Sequence, residues 1–215
     1  MSDLIIKALL AYLLGNVMGG QLIGLLRGGI DLRKVGSGNV GATNALRTQG
    51  AAFALGVLAI DVAKGVIAAL AIPHLPAFGA PLFAAHEQAY VCGVAVALGH
   101  CYPALYGFHG GKGVATLAGV FGALLTPALA WILAAFVLLV ALTGYVSLAT
   151  LGAAATAIAW VALTLPGGLA SPAGMFTLAM ALLIVWKHRE NIGRLLNGGE
   201  NRFEKARVLG RWLSR

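Results

Sequence analysis

Charge is the scarcest property of this sequence. Only 10% of its 215 residues are Asp, Glu, Lys or Arg, against 60% that are hydrophobic, and the mean hydropathy is +0.88. That balance excludes an ordinary soluble domain and makes the chain an integral membrane protein. Acidic residues number seven and do not cluster, so a metal clamp of several carboxylates has no material. Two cysteines, Cys92 and Cys101, are too few for a disulfide framework; both fall in or at the end of one apolar segment and read as buried, unpaired thiols. No convincing serine or cysteine nucleophile motif, internal repeat or soluble domain is present, since the stretch after Trp186 is too short to bury its own core.

What is present begins with a local excess of cations. Of 15 Lys and Arg, eight lie between Lys187 and Arg215, while Arg27, Arg33, Lys34 and Arg47 flank a polar loop. Cationic clusters beside apolar segments mark the cytoplasmic side and attract anionic lipid headgroups. Apolar runs near residues 4–26, 51–72, 87–102, 114–125, 127–146, 148–165 and 172–188 predict about seven transmembrane helices, since a helix needs roughly 20 residues to cross about 30 Å of hydrocarbon. The run at 114–125 is short and stopped by Pro127, which makes it a partial span or a helix packed against protein; merged with 127–146 as one re-entrant unit, it would lower the count. The first run lacks a basic front region and a cleavage site and reads as a retained helix. Connections 73–86 and 166–171 carry no Lys or Arg, which puts the N-terminus outside and the C-terminus in the cytoplasm, with Lys7 as the exception. The expectation is an all-α integral membrane protein: one polytopic domain over 1–215, ending in a basic cytoplasmic tail at 187–215.

Three polar constellations carry chemistry. The first is Gly36, Ser37, Gly38, Asn39, Gly41, Thr43 and Asn44, with Arg47 at helical distance. Converging N–H groups, hydroxyls, amides and a guanidinium are the parts of a phosphate cradle. Its G-x-G-x-x-G spacing suggests a dinucleotide site, but that motif needs a strand and a βαβ unit, and the neighbours here are apolar helices. The bland alternative, a flexible connector, leaves so many donors unexplained. The second is Gly110, Gly111, Lys112 and Gly113, between His100 and Thr116, where glycine N–H groups and an ammonium precede a helix start. A P-loop would need Gly at 106 and Ser or Thr at 113; Tyr106 and Gly113 stand there, which disfavours a nucleotide triphosphatase. The bland reading is a glycine hinge with a snorkelling lysine. His100 reads equally as a helix-end histidine, and His109 as a surface one.

The third joins the last span to the tail. His188 and Asn191, three apart, share a helix face and can point into the bundle, while Lys187, Arg189 and Arg194 fit anchoring at the inner surface. Inside the second span Asp61 and Lys64 read first as a structural ion pair and second as contributors to the site. Ser147 adds a hydroxyl near a predicted inner boundary.

Together these stretches resemble one family, the bacterial acyl-phosphate:glycerol-3-phosphate acyltransferases (PlsY). The resemblance covers nearly the whole chain and rests on Gly36 to Arg47, on His100, Pro103 and Gly110 to Thr116, and on His188 to Asn191 running into Asn197, Gly198, Gly199, Glu200 and Asn201. Val40 and His109 stand where other residues are common in that family. The H-x4-D arrangement of other acyltransferases is missing, because no His is followed by Asp five positions later. The resemblance implies transfer of a fatty acyl group from acyl phosphate to the 1-hydroxyl of glycerol 3-phosphate, giving lysophosphatidic acid and phosphate at the cytoplasmic face of the bacterial inner membrane. It implies Ser37, Arg47, Lys112, His188 and Asn191 as catalytic, with Gly36, Gly38, Asn39, Gly41, Thr43, Asn44, Gly110, Gly111, Gly113 and Ser147 binding substrate. The expected partners are glycerol 3-phosphate, acyl phosphate and membrane lipids, with no cofactor, metal, nucleic acid or obligate protein partner. The proton acceptor, His188 or a substrate phosphate oxygen, stays open, the resemblance leaning to the substrate. The rival reading is a small transporter of a phosphorylated solute, since glycine-interrupted spans also build transport sites; donors concentrated at one face favour an enzyme.

Overall fold

The computed structural model describes residues 1–213, and every regular element among them is helical. The expected tail at 187–215 therefore ends, at Ser214 and Arg215, outside the described residues. The chain forms two compact units, Met1–Leu125 and Thr126–Arg215.

The first unit contains α1 (Ser2–Gly15), α2 (Gly19–Leu26), α3 (Ala42–Gln49), α4 (Ala51–Leu70), α5 (Ala85–Cys101) and α6 (Val114–Leu124). The run expected as one helix at 4–26 is two, α1 and α2, bent by 44°. The cause lies on α4. Lys64 Nζ donates to the carbonyls of Gly15 and Val17 at 3.0 and 2.8 Å, and Asp61 Oδ1 accepts the Gly19 N–H at 3.2 Å. Side chains thus take up backbone groups at the break, which is how a sharp bend is held without orphaned donors and acceptors.

Small residues let these helices approach closely. Gly15 of α1 meets Gly99 of α5, and Gly65 and Gly119 let α4 and α6 touch at the Thr116 and Val62 carbonyls; a Cβ at any of these would overlap backbone. With 11 residues α6 is well below the length of a full span, and its Leu117, Val120 and Phe121 are buried against protein. Leu32, Ala45, Phe53, Ala54 and Val57 form a buried cluster that ties the polar loop and α3 to α4. At the other end of α1, Lys7 is buried and paired with Asp3 at 3.2 Å, donating also to the Pro73 carbonyl at 3.0 Å. Asp3 in turn accepts from the Phe78 N–H and from Gln88. Lys7, anomalous by its position in the sequence, is thus part of a neutralised pair.

The second unit contains α7 (Thr126–Thr143), α8 (Val146–Thr164), α9 (Pro172–Lys187), α10 (Arg189–Leu196) and α11 (Val208–Leu213). Gly144, with φ of +76°, turns α7 into α8. Ser171 caps α9 by accepting the Gly174 N–H at 3.1 Å, with Pro172 in the first helical position, where its missing donor costs nothing. Facing inward, α9 buries Phe176, Met180 and Ile184. Only Ala128 is buried along α7. Among the described residues four helices are long and apolar enough to cross a membrane, five if the bent pair counts as one span; α6 and α9 are shorter apolar helices.

Candidate active site

In the first unit the polar loop is organised by Asn44, in the first turn of α3. Its buried amide donates to the carbonyls of Leu32, Val35 and Asn39 at 3.2, 3.0 and 2.8 Å, and its Oδ1 accepts the Ser37 N–H at 3.0 Å. One side chain therefore closes the loop from both ends. Asn39 Oδ1 accepts the Gly41 N–H at 2.9 Å, and the Gly38 N–H donates to Val35. The N–H groups of Ser37, Gly38 and Gly41 are thus used in shaping the loop. Gly36 has φ of +58°, and a side chain there would also overlap the Asn44 amide. The side chains of Ser37, Thr43 and Arg47 are exposed, Arg47 in the last turn of α3. Beside the loop Arg33 forms a two-armed contact with Asp31, which holds the Asp31 carboxyl well below the usual carboxylate range.

Lys112 is half-buried on a glycine loop moulded to the last turn of α5. The Gly111 N–H donates to the His100 carbonyl at 3.1 Å, and Gly113, with φ of +81°, caps the start of α6. Behind the loop Asp61, Lys64 and His100 are buried together. Lys64 Nζ lies 2.9 Å from Asp61 Oδ1 and 2.7 Å from His100 Nδ1. The two sequence readings, an ion pair and a helix-end histidine, merge here into one cluster. His109 is exposed, its Nδ1 on the Gly107 carbonyl.

In the second unit the hub is Glu200, a residue whose role sequence reasoning left unassigned. Its Oε1 accepts from Ser147 Oγ at 2.8 Å and Asn191 Nδ2 at 2.6 Å, and its Oε2 from Arg194 Nε at 2.8 Å. Burial alone would raise the carboxyl pKa, but hydrogen bonds from Asn191, Arg194 and Ser147 outweigh it and hold it below the usual value. The signal for this return is Asn197, Gly198 and Gly199: Gly198 has φ of +72°, and the Gly199 N–H donates to the Arg194 carbonyl, folding Glu200 back onto α10. His188 sits at the joint between α9 and α10, buried, with Nδ1 2.8 Å from the Ile184 carbonyl. A carbonyl partner makes Nδ1 a donor.

Of the residues singled out in the sequence, Ser37, Arg47 and Lys112 with their loops belong to the first unit, and Ser147, His188 and Asn191 to the second. Ser147 and Asn191, 44 positions apart, share one carboxylate oxygen. Among the described residues no group of three or more His, Cys, Asp or Glu gathers in a metal-binding arrangement.

A family model described as glycerol-3-phosphate acyltransferase matches residues 5–198. A glycerol-3-phosphate acyltransferase from Geobacter sulfurreducens is 41% identical over 204 residues, covering 95% of this chain and 99% of that protein. The crystal structure of PlsY (YgiH), an integral membrane glycerol 3-phosphate acyltransferase, in its glycerol 3-phosphate form aligns with a TM-score of 0.81 at 35% identity, covering 93% of this chain and 95% of that one. Its lysophosphatidic acid form aligns with a TM-score of 0.80 at 33% identity, covering 96% and 98%. The family match over residues 5–198, the identity across 95% of the chain and the shared helical architecture agree: this chain belongs to the glycerol-3-phosphate acyltransferase family.

Proposed function

We propose that this protein transfers a fatty acyl group from acyl phosphate to the 1-hydroxyl of sn-glycerol 3-phosphate, releasing lysophosphatidic acid and inorganic phosphate. The observation that carries this reading is the state of the polar side chains. The carboxylates beside the motifs are committed, Asp31 to Arg33, Asp61 to Lys64 and Glu200 to Ser147, Asn191 and Arg194, so the motifs carry an excess of positive charge from Arg47 and Lys112. Such a set suits two anionic substrates, and the related crystal structures are named for a glycerol 3-phosphate form and a lysophosphatidic acid form, the acceptor and product of this reaction.

Acyl phosphate is a mixed anhydride, so neither a nucleotide nor a covalent enzyme nucleophile is required. The glycerol 1-hydroxyl attacks the acyl carbon, the bond from that carbon to the phosphate oxygen breaks, and its electron pair leaves with phosphate. The hydroxyl proton ends on a phosphate oxygen. Protein groups hold the anions together and stabilise the leaving charge. Ser37 and Thr43 with the N-terminus of α3, which no side chain caps, bind the acyl-phosphate head; Gly36, Gly38, Asn39, Gly41 and Asn44 keep the loop in shape. Arg47 and Lys112 neutralise phosphate charge, and Gly110, Gly111 and Gly113 let the Lys112 backbone approach. His188 and Asn191 orient glycerol 3-phosphate, and Ser147 holds the Glu200 carboxylate on which Asn191 rests.

The four long helices, the bent pair and the two shorter apolar helices supply seven apolar segments. We place the N-terminus outside and the basic tail in the cytoplasm of the bacterial inner membrane, from the distribution of Lys and Arg. Purified protein with glycerol 3-phosphate and palmitoyl phosphate, in chelator and without nucleotide, should form lysophosphatidic acid and one phosphate per turnover. No product from acyl phosphates of several chain lengths, with product from an acyl thioester, would reject acyl phosphate as the donor.

A further inference from the structure

We propose that His100 is a positioning residue that sets the Gly110 to Gly113 loop, and with it Lys112, through a buried chain running from Asp61 to Lys64 to His100 to Gly111. It rests on the reading that Lys112 neutralises a substrate phosphate.

The imidazole is locked from behind. Lys64 Nζ meets four groups: Asp61 Oδ1 at 2.9 Å, Gly15 and Val17 carbonyls at 3.0 and 2.8 Å, and His100 Nδ1 at 2.7 Å. His100 Nδ1 also lies 3.5 Å from Asp61 Oδ1, so both members of the ion pair hold the same ring nitrogen. The other nitrogen, Nε2, faces Gly111. The contact with the loop is close enough that a Cβ on Gly111 would overlap Nε2, Cε1 and Cδ2 of the ring. Two flanking glycines repeat the fit: a side chain at Gly110 would overlap the His100 carbonyl and the Pro103 ring, and one at Gly113 would press on Cys101 Sγ at 3.1 Å. Backbone adds the hydrogen bond from the Gly111 N–H to the His100 carbonyl.

Lys112 sits between two of these moulded glycines, so a rotation of the His100 ring displaces the segment that carries its side chain. A buried ion pair costs desolvation that a pair of apolar side chains would not. Here it fixes the orientation of the surface on which the loop rests. Displacing a binding group by about 1 Å costs on the order of 100-fold in rate; His100→Ala is therefore expected to lower kcat/KM by about 10- to 100-fold, with a higher KM for the phosphate substrate.

The test is a double-mutant cycle on the full-length protein. Wild type, His100→Ala, Lys112→Ala and the double variant are assayed for glycerol 3-phosphate acylation by palmitoyl phosphate. If His100 acts through Lys112, the double variant is within about twofold of Lys112→Ala, and His100→Gln, whose amide oxygen can accept from Lys64, recovers part of the loss. Multiplicative losses in the double variant, or a His100→Ala enzyme within about twofold of wild type, would overturn the proposal. Near-normal turnover by Lys112→Ala sinks the Lys112 assignment, and with it the proposed action through Lys112. A thermal cycle, read by reaction of the buried thiols of Cys92 and Cys101 with a dye, needs no activity. Gly111→Ala should lower Tm in wild type and cost less than half as much in the His100→Ala background; equal penalties would reject the contact.

Discussion

Replacing Glu200 by Ala and by Gln separates its two oxygens. Ala removes three hydrogen bonds, of 2.8, 2.6 and 2.8 Å, from Ser147, Asn191 and Arg194. Bonds to a charged acceptor contribute roughly 1.5–3 kcal/mol each, so losing the Ser147 and Asn191 bonds costs about 3–6 kcal/mol. The Arg194 side chain is 40% exposed and adds no more than about 1 kcal/mol. For a chain of this length about 1 kcal/mol moves Tm by roughly 2–4 °C, which gives a fall of about 6–28 °C for Glu200→Ala. Gln keeps an oxygen for Ser147 and Asn191 but without the charge, and turns an amide toward Arg194, a loss of about 2–4 kcal/mol and roughly 4–16 °C. All four tryptophans, Trp131, Trp160, Trp186 and Trp212, lie in the second unit with Glu200, so tryptophan fluorescence reads the transition locally. The carboxyl is held below its ordinary value of 4.5, so its stabilisation is full above that pH and is lost as pH falls through the lowered folded value. The gap between wild type and Glu200→Gln should accordingly close under acid. An Ala variant within 4 °C of wild type, or a Gln variant as unstable as Ala, would refute the assignment of Glu200 as the hub.

Lys64→Met leaves the Asp61 carboxylate buried without its ammonium and should cost about 3–5 kcal/mol; Asp61→Leu with Lys64→Met removes the stranded charge but still orphans the Gly15 and Val17 carbonyls and the Gly19 N–H, so it should recover only a small part, as thiol-dye melting would show. Gly36→Ala combines a left-handed backbone with overlap on Asn44 and should cut turnover at least about tenfold. Gly28→Ala has a similar φ of +91° but open space around it, so it should lose only about 1–2 kcal/mol and keep its turnover. His188→Gln should slow acylation by about 10- to 100-fold with an unaltered pH profile if a phosphate oxygen takes the proton; loss of the acidic limb would make His188 the base.

Apolar run length carried most of the helical layout: the stretches expected at 51–72, 87–102 and 148–165 appear as α4, α5 and α8 within a few residues of their expected limits. The break in the first run was not legible locally, because it is held by Asp61 and Lys64, more than 40 positions downstream. Nothing in a window around Asn16 records that partner. The same limit explains Asn44. As a residue type it offers donors to a ligand, but its amide is taken by the carbonyls of Leu32, Val35 and Asn39, a fact of loop closure that composition does not contain. Glu200 escaped assignment as a site residue because a single carboxylate in a basic tail resembles a solvated charge until Ser147 and Asn191 are seen on it.

Helix α7 has a different consequence. Ala128 is its only buried residue, and Trp131, Val137 and Leu138 are 62%, 62% and 51% exposed. Shape therefore constrains this helix very little, and hydropathy constrains it almost completely. Its outward-facing positions form a stretch where one aliphatic residue can stand for another, whereas Gly65 or Gly119 admits no substitute without moving backbone. Rates of accepted change along this one chain should differ sharply between α7 and the contact of α4 with α6, although all three helices are equally apolar to the eye.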